Sequence, residues 1–249
     1  GFFLFIKLCK LSFVTDYKFK NYLLTMQSHW CINQNTYETV QESMPIITKF
    51  KAQSGVEKLQ KTPINKIVKK IYPDVYKVPL FRRQFCKMLV DEIQHMGFNP
   101  NETEDELRQI PEIVLHEKMP QLHRNMWYIV QTVLNPIFFS LWQRHCANIG
   151  SVQIANYNIK DKKQGAYHHD DSADLTVVVP LNTGKYEGGG TEFHNYGVVP
   201  PLPTGHALMF PSFTMMHKGL PVQSGDRYLL VFWLYDRARV EYLSQHGLP

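Results

Sequence analysis

Five short runs rich in β-branched and aromatic residues follow one another in the second half of the chain. They read VQIANYNI, LTVVVPLN, GTEFHNYGVV, GHALMFP and RYLLVFWLY, and turn clusters such as KDKKQG and TGKYEGGG separate them. Short strands at regular spacing, with turn signals between them, are typical of a β-sandwich or jelly roll. We therefore expect a β-sandwich over residues 150–236.

The first half of the chain has a helical period instead. Phe85, Leu89, Ile93 and Met96 fall four, four and three residues apart and form one apolar stripe, which Gly97 closes. Apolar residues at this spacing share one face of a helix, and glycine is a common residue just past a helix end. The stripe therefore predicts a helix that packs on a core.

A second amphipathic stretch covers about residues 119–146, where Pro136 should kink the helix or start a new one. Together the two halves indicate an α+β fold, with a double-stranded β-helix (a cupin-like jelly roll) as the core and a helical N-terminal half packed against it. We expect residues 1–70 to be a peripheral, partly basic extension. Residues 71–249 should form one domain, in which 71–149 is the helical support.

The composition narrows the class of protein. A chain of 249 residues with 44% hydrophobic residues can bury a sizeable core. Its four cysteines are scattered without a CxxC pair, so we expect isolated buried thiols and neither a zinc knuckle nor a disulfide framework. The apolar run at the start is interrupted by Lys7 and Lys10, which argues against a membrane span and favours an intracellular over a secretory location.

The segment YHHDDSADLT carries the strongest chemical signal. Side chains two apart in an extended strand emerge on one face, so a His-x-Asp pair sets an imidazole beside a carboxylate. Two pairs have this spacing, His168 with Asp170 and His169 with Asp171. A distant histidine would complete a 2-His-1-carboxylate set, which leaves positions open on Fe(II) for a cosubstrate and dioxygen. His217 is the natural third ligand.

An arginine follows at an informative distance. Arg227 lies ten residues after His217, across the turn letters QSGD, so the two residues should lie on successive strands of a hairpin. An oxygenase that uses a keto diacid must hold the carboxylate far from iron, and a bidentate arginine suits that task. The glycines 188–190 of YEGGGTEF should allow a close backbone approach at the rim of the site.

The run from Ile71 to Asp236 resembles the catalytic domain of procollagen lysyl hydroxylases, in the prolyl/lysyl hydroxylase branch of the iron- and 2-oxoglutarate-dependent dioxygenases. The similar stretches are YPDVYKVPLFRRQFCKMLVDEIQHM, HHDDS, VVVPLN, YEGGGTEF and HKGLPVQSGDRY. The last is the most specific, because it contains the spacing between the histidine and the arginine. The resemblance covers about two thirds of the chain and does not include residues 1–70.

The resemblance implies Fe(II) and 2-oxoglutarate as cofactors, with ascorbate as a further one. It assigns His217 to iron and Arg227 to the far carboxylate of 2-oxoglutarate, and Tyr157 matches a tyrosine that supports the same carboxylate. The implied activity is hydroxylation of a C–H bond on a protein or peptide side chain, lysyl in the first instance, with release of succinate and carbon dioxide. Homodimerisation is a further expectation from the resemblance.

The resemblance leaves the ligand pair open. The family also has two histidines before its aspartate, which favours His168 with Asp170. The family's count of five residues from the ligand aspartate to the position of Thr176 favours His169 with Asp171, because an inserted residue would shift the register of the strand. On that count we prefer His169 and Asp171 as ligands and place His168 at the substrate rim.

Two other functions compete with protein hydroxylation. The lysine-rich segment 49–83 would suit a nucleic acid, so oxidation of a modified base by the same chemistry is one alternative. The other is a scaffold that has the jelly roll but no turnover. The chain also differs from the family by having GGGTEF where a cysteine is usual, and we expect a small unit without the glycosyltransferase domains.

Overall fold

The computed structural model describes residues 31–51, 63–100, 109–160 and 165–246. The helices are α1 (Gln34–Lys51), α2 (Ile64–Ile67), α3 (Arg83–Met96), α4 (Leu115–Lys118), α5 (Pro120–Ile129), a π-helical turn (Val130–Leu134), α6 (Asn135–Trp142) and α7 (Arg237–Gln245). The strands are β1 (Lys69–Tyr72), β2 (Val75–Pro79), β3 (Glu112–Val114), β4 (Cys146–Tyr157), β5 (Leu175–Pro180), β6 (Glu187–Gly188), β7 (Thr191–Phe193), β8 (Gly197–Val199), β9 (His206–Phe210), β10 (His217–Gly219), β11 (Val222–Ser224) and β12 (Arg227–Asp236).

One large sheet and two small sheets form the β part. The large sheet has seven strands in the order β1-β2-β9-β5-β12-β4-β3, and every neighbouring pair is antiparallel. The small sheets have the orders β10-β7-β8 and β11-β6. Phe193 of β7 packs edge-on against Phe210 of β9, with 4.9 Å between the ring centroids, so a small sheet lies on one face of the large sheet. The chain is therefore α+β with antiparallel sheets.

Strand β12 shows how the sequence divides the two faces of the large sheet. Its alternate residues point to opposite faces, as the two-residue period of a strand requires. The set that lines the cavity described below is Arg227, Leu229, Val231 and Trp233, and the opposite set is Leu230, Phe232 and Leu234. The opposite set belongs to one apolar core with buried side chains of α1, α3, α5 and α6. The helices therefore cover one face of the sheet, and the other face remains for the site.

The predicted helix with the stripe is confirmed as α3. Phe85, Leu89 and Ile93 are buried in the core, and Gly97 follows the helix with a φ of 74°. The second predicted stretch is interrupted, because α5 ends at Ile129 and a π-helical turn precedes α6. Pro136 is the second residue of α6, which directly follows the π-helical turn, so the helical backbone continues through the proline.

The expected peripheral extension 1–70 needs correction for the part that the structure describes. Residues 1–30 and 52–62 lie outside that part. Ile32, Val40, Ile47 and Ile64, however, are buried in the same core as the large sheet. Burial of each such side chain contributes roughly 1.5–3 kcal/mol. The described residues before 70 therefore belong to the same core as the residues after it.

Two further expectations concern the thiols and the membrane. Cys31, Cys86 and Cys146 are buried and form no disulfide, while Cys9 lies outside the described residues. Burial raises the pKa of Cys31 and of Cys86 to about 12. Among the described helices, none combines the length and the apolar character that a bilayer crossing requires.

Candidate metal centre

His168 and His217 face each other through the backbone. They are partners in an isolated antiparallel bridge, and the N–H of each donates to the carbonyl oxygen of the other at 2.9 Å. Directly opposed residues of such a pair project their side chains to the same side. The two imidazole centroids are accordingly 4.5 Å apart. The bridge therefore brings together two nitrogen ligands from segments that are distant in sequence.

Asp170 completes the group because it lies two residues after His168. Its Oδ1 is 3.3 Å from Nε2 of His168, and its Oδ2 is 3.9 Å from Nε2 of His217. One ligand atom from each of these three residues lies within 4.8 Å of the other two, and no other such group of three metal-ligating side chains occurs in the described ranges. Two imidazoles and one carboxylate are the donor set of the facial triad that holds non-haem Fe(II).

Backbone carbonyls set the tautomer of both rings. Nδ1 of His168 lies 2.8 Å from the carbonyl oxygen of Ala166, and Nδ1 of His217 lies 2.9 Å from that of Met215. A carbonyl oxygen only accepts, so each Nδ1 is the protonated donor. In the neutral rings Nε2 then carries the lone pair that can bind a metal, which is the usual arrangement of ligand histidines.

The electrostatics favour a neutral imidazole at His217 beside an ionised carboxylate at Asp170. Burial lowers the pKa of His217 to about 4, although Asp170 acts in the opposite direction. Burial raises the pKa of Asp170, but the two neighbouring histidines and the hydrogen bond from Thr176 outweigh it, so the net pKa of Asp170 is lowered. A neutral imidazole and a carboxylate are the forms that coordinate a cation.

The structure corrects the preferred ligand pair. His168 and Asp170, rather than His169 and Asp171, lie beside His217, and His168 belongs to the cluster rather than to the rim. His169 and Asp171 line the mouth of the cavity outside the cluster, and Asp171 is exposed. The register argument required a continuous strand back from β5, but residues 171–174 form a turn, with the N–H of Ala173 bonded to the carbonyl of Asp170. A turn absorbs an inserted residue without shifting the strand.

Arg227 is buried and lines the same cavity. It starts β12 directly opposite Tyr157 of β4, and its guanidinium carbon lies 5.3 Å from the centroid of the tyrosine ring. Its Nε and Nη1 have no hydrogen-bond partner among the described residues. A buried guanidinium with unused donors is costly unless a ligand satisfies it. The carboxylate of a bound diacid fits this position, so Arg227 and Tyr157 could hold 2-oxoglutarate.

Two glycines make room for this anchor: Gly189, from the expected run 188–190, and Gly219, which was not predicted from sequence. Gly189 has a φ of +76°, and a Cβ at this position would lie 3.0 Å from Cδ of Arg227. A Cβ on Gly219 of β10 would lie 3.0 Å from the ring of Tyr157. A Cβ at either position would displace Arg227 or Tyr157, the two side chains of the anchor. The glycines are therefore required by close approach to Arg227 and Tyr157.

The cavity that joins these features has a volume of about 370 Å³. The large sheet contributes the alternate residues Thr176, Val178, Val231 and Trp233, while their neighbours on β5 face the helices. Thr176 was not among the residues predicted from sequence. It hydrogen-bonds the carboxylate of Asp170, and only the folded chain reveals that contact.

Curated sequences that are similar to this chain include procollagen lysine hydroxylases. A human protein named multifunctional procollagen lysine hydroxylase and glycosyltransferase is 32% identical over 177 residues, which are 66% of this chain and 24% of that protein. Its Caenorhabditis elegans counterpart is 27% identical over 181 residues, which are 68% of this chain and 25% of that protein. The chain thus spans about a quarter of the length of these relatives. No protein-family model matches the chain.

Solved structures of hydroxylases share the fold. A Trichoplax adhaerens prolyl hydroxylase, solved with a peptide fragment of a hypoxia inducible factor, matches with a TM-score of 0.53 at 12% identity, over 82% of this chain and 92% of that one. A Pseudomonas putida prolyl-4-hydroxylase matches with a TM-score of 0.51 at 18% identity, over 66% of this chain and 93% of that one. At these identities the matches show the fold alone, and it agrees with the expected jelly roll.

Proposed function

We propose that this chain, a member of the Fe(II)- and 2-oxoglutarate-dependent dioxygenase superfamily, hydroxylates a C–H bond of a lysyl side chain in a protein or peptide. One observation carries the proposal: a 2-His-1-carboxylate group and a buried arginine with unused donors line the same cavity. The group supplies the ligands for iron, and the arginine supplies the counter-charge for a dicarboxylic cosubstrate. A scaffold without turnover has no physical need for both.

In this proposal His168, Asp170 and His217 hold Fe(II), and Arg227 with Tyr157 holds the far carboxylate of 2-oxoglutarate. When bound, iron and 2-oxoglutarate supply the oxidation of a substrate C–H bond by dioxygen, and 2-oxoglutarate leaves as succinate and carbon dioxide. The chain itself orients both partners. Arg227 fixes the direction of the cosubstrate, because a guanidinium fork binds a carboxylate through two parallel hydrogen bonds.

The walls of the cavity separate the reacting groups from bulk water. Val178, Leu229 and Val231 line it between the arginine and the histidine-aspartate group. Apolar walls strengthen the charge interactions inside a site and limit side reactions of the bound cosubstrate. Desolvation raises the pKa of Tyr157, so the tyrosine stays a neutral hydroxyl that can donate to a carboxylate. The helical N-terminal half supports this wall from the other face of the sheet.

The lining of the cavity supports an alkylammonium substrate. Glu112 and Asp171 contribute carboxylates to it, and Trp233 and Tyr235 contribute aromatic faces. Arg227 is the single lysine or arginine among the described residues that line the cavity. Acidic and aromatic groups attract an ammonium group through charge and cation–π contacts. The lysine hydroxylase relatives support the same choice of side chain.

The test offers the chain a lysine-containing collagen-like peptide with Fe(II), 2-oxoglutarate and ascorbate. We expect a product heavier by one oxygen atom, located on lysine by fragmentation, and an equal yield of succinate. Matched peptides with arginine or norleucine at the same position should give far less product. Omission of iron or of 2-oxoglutarate should abolish it.

Two other outcomes would replace this proposal. Product on a pool of modified oligonucleotides, without product on peptides, would indicate a nucleic-acid substrate instead. Metal binding without excess succinate on any substrate pool would indicate a scaffold. The basic segment 49–83 and the homodimer stay predictions, because the described contacts involve one chain and leave residues 52–62 out.

A further inference from the structure

A chain of buried hydroxyl groups holds the carboxylate of Asp170. The hydroxyl oxygen of Thr176 lies 2.5 Å from Oδ2 of Asp170 and 2.7 Å from the hydroxyl oxygen of Ser212. Thr176 is 2% exposed and Ser212 is 0% exposed. Water therefore has little access to these hydroxyls, and the three side chains must satisfy one another. The function proposed above does not use Thr176 or Ser212.

Proton counting fixes the direction of this chain. A carboxylate that binds a metal is ionised and only accepts, so Thr176 donates its single hydroxyl proton to Asp170. The threonine oxygen then accepts from the hydroxyl of Ser212. Ser212 also binds the backbone of Asp170, whose N–H donates to the serine carbonyl at 3.2 Å. The order of donation is therefore Ser212 to Thr176 to Asp170.

This order leaves the two oxygens of Asp170 in different situations. Oδ2 already accepts a short hydrogen bond, whereas Oδ1 lies nearest to Nε2 of His168. Carboxylates bind metals through one oxygen or through both. Binding through both would occupy one of the positions that a facial triad leaves open for other ligands. A donor that holds Oδ2 opposes that second mode.

We propose that Thr176 is a positioning residue that keeps Asp170 a one-oxygen ligand, and that Ser212 orients Thr176 for this task. The inference rests on the proposed function, since it assumes that the His168, Asp170 and His217 group binds a metal. Its consequence is that Thr176 preserves a coordination position for the cosubstrate. Loss of the hydroxyl removes a partner that orients Asp170, which should weaken metal binding. It also frees Oδ2 to occupy the open position, which should weaken the binding of 2-oxoglutarate to the metal-loaded chain.

The test compares T176V, which keeps the shape but removes the hydroxyl, with T176S, which keeps the hydroxyl. Co(II) replaces Fe(II), so that visible absorption reports affinity and coordination number without turnover, and 2-oxoglutarate is titrated afterwards. We expect T176V to weaken Co(II) binding by about 10- to 100-fold, as is usual for partners of metal ligands, and to weaken 2-oxoglutarate binding to the Co(II)-loaded chain. T176S should stay within about 3-fold of the unmodified chain for both.

Thr183→Val is the matched control, because Thr183 loses an equivalent hydrogen bond, to the carbonyl of Leu202 at 2.7 Å, away from the metal group. It should leave Co(II) binding unchanged. If T176V fails to fold, S212A replaces it in the test. We expect S212A to weaken Co(II) and 2-oxoglutarate binding in the same way but by a smaller factor. Equal affinities in the folded T176V and unmodified chains, or equal losses in T176S and T176V, would overturn the inference. Absence of Co(II) binding by the unmodified chain would overturn the proposed function as well.

Discussion

The imidazole of His168 faces that of His217 because the two residues exchange both backbone hydrogen bonds of a single antiparallel bridge. Asp170 follows two residues later and therefore returns to the same side. The bridge thus selects which of the two adjacent histidines, and which of the two adjacent aspartates, meets His217. His169 lies outside the group because neighbouring residues of an extended segment point to opposite sides.

Replacement of each member of the HHDD segment by alanine tests this selection. His168→Ala and Asp170→Ala should abolish the weak visible band of the anaerobic Fe(II) complex with 2-oxoglutarate, because each removes one ligand atom. His169→Ala and Asp171→Ala are the matched controls and should retain the band, since neither residue belongs to the group. Loss of the band in His169→Ala with its retention in His168→Ala would reverse the assignment.

Substitution of Arg227 tests the cosubstrate anchor. Arg227→Met should weaken 2-oxoglutarate binding by about 10- to 100-fold, because a hydrogen bond to a charged group contributes about 1.5–3 kcal/mol. The affinity of Arg227→Lys for 2-oxoglutarate should lie between those of the unmodified chain and of Arg227→Met, because lysine keeps the charge but cannot form two parallel hydrogen bonds. Calorimetric titration of the metal-loaded chain gives these affinities. Metal affinity measured in parallel should not change, and a loss there instead would place Arg227 outside the anchor.

The close approach of Gly189 to Arg227 has its own test. Gly189→Ala would place a Cβ 3.0 Å from Cδ of Arg227, so we expect weaker 2-oxoglutarate binding with metal binding retained. Gly184→Ala is the control, because Gly184 also has a positive φ, +91°, but nothing lies within 4 Å of its Cβ position. Both variants should lose about 1–2 kcal/mol of stability from the backbone conformation. Equal cosubstrate affinities in the two variants would show that the contact with Arg227 is unimportant.

The apolar core between the large sheet and the helices can be tested at Phe232. This side chain is fully buried on the helix face of β12, so Phe232→Ala should lower the free energy of unfolding by about 3–5 kcal/mol. Phe213, which is 48% exposed, provides the control, and Phe213→Ala should change stability by about 0.5 kcal/mol or less. Urea unfolding followed by circular dichroism measures both. A small loss at Phe232 would mean that the helices do not pack on this face.

Local patterns account for much of the fold and part of the site. The apolar stripe of Phe85, Leu89 and Ile93 specifies a helix and its buried face, and both are present. Such features depend on the fixed period of a helix, so neighbours along the chain are sufficient to predict them. The expected hairpin from His217 to Arg227 is wrong, because β11 lies between β10 and β12 and these two strands belong to different sheets.

Contacts between distant segments determined the parts of the site and of the core that local patterns did not predict. The sequence by itself determined that a histidine, an aspartate and an arginine of the right kinds were available, but two ligand pairs had equal spacing. The turn after Asp170 and the bridge from His168 to His217 determine which pair lies beside His217. Only the folded chain places Ser212 and Thr176 beside Asp170. It likewise buried residues such as Ile32 and Val40 in the core. Periodicity is a local property of the backbone, whereas register across a turn is fixed only when the partner strand is in place.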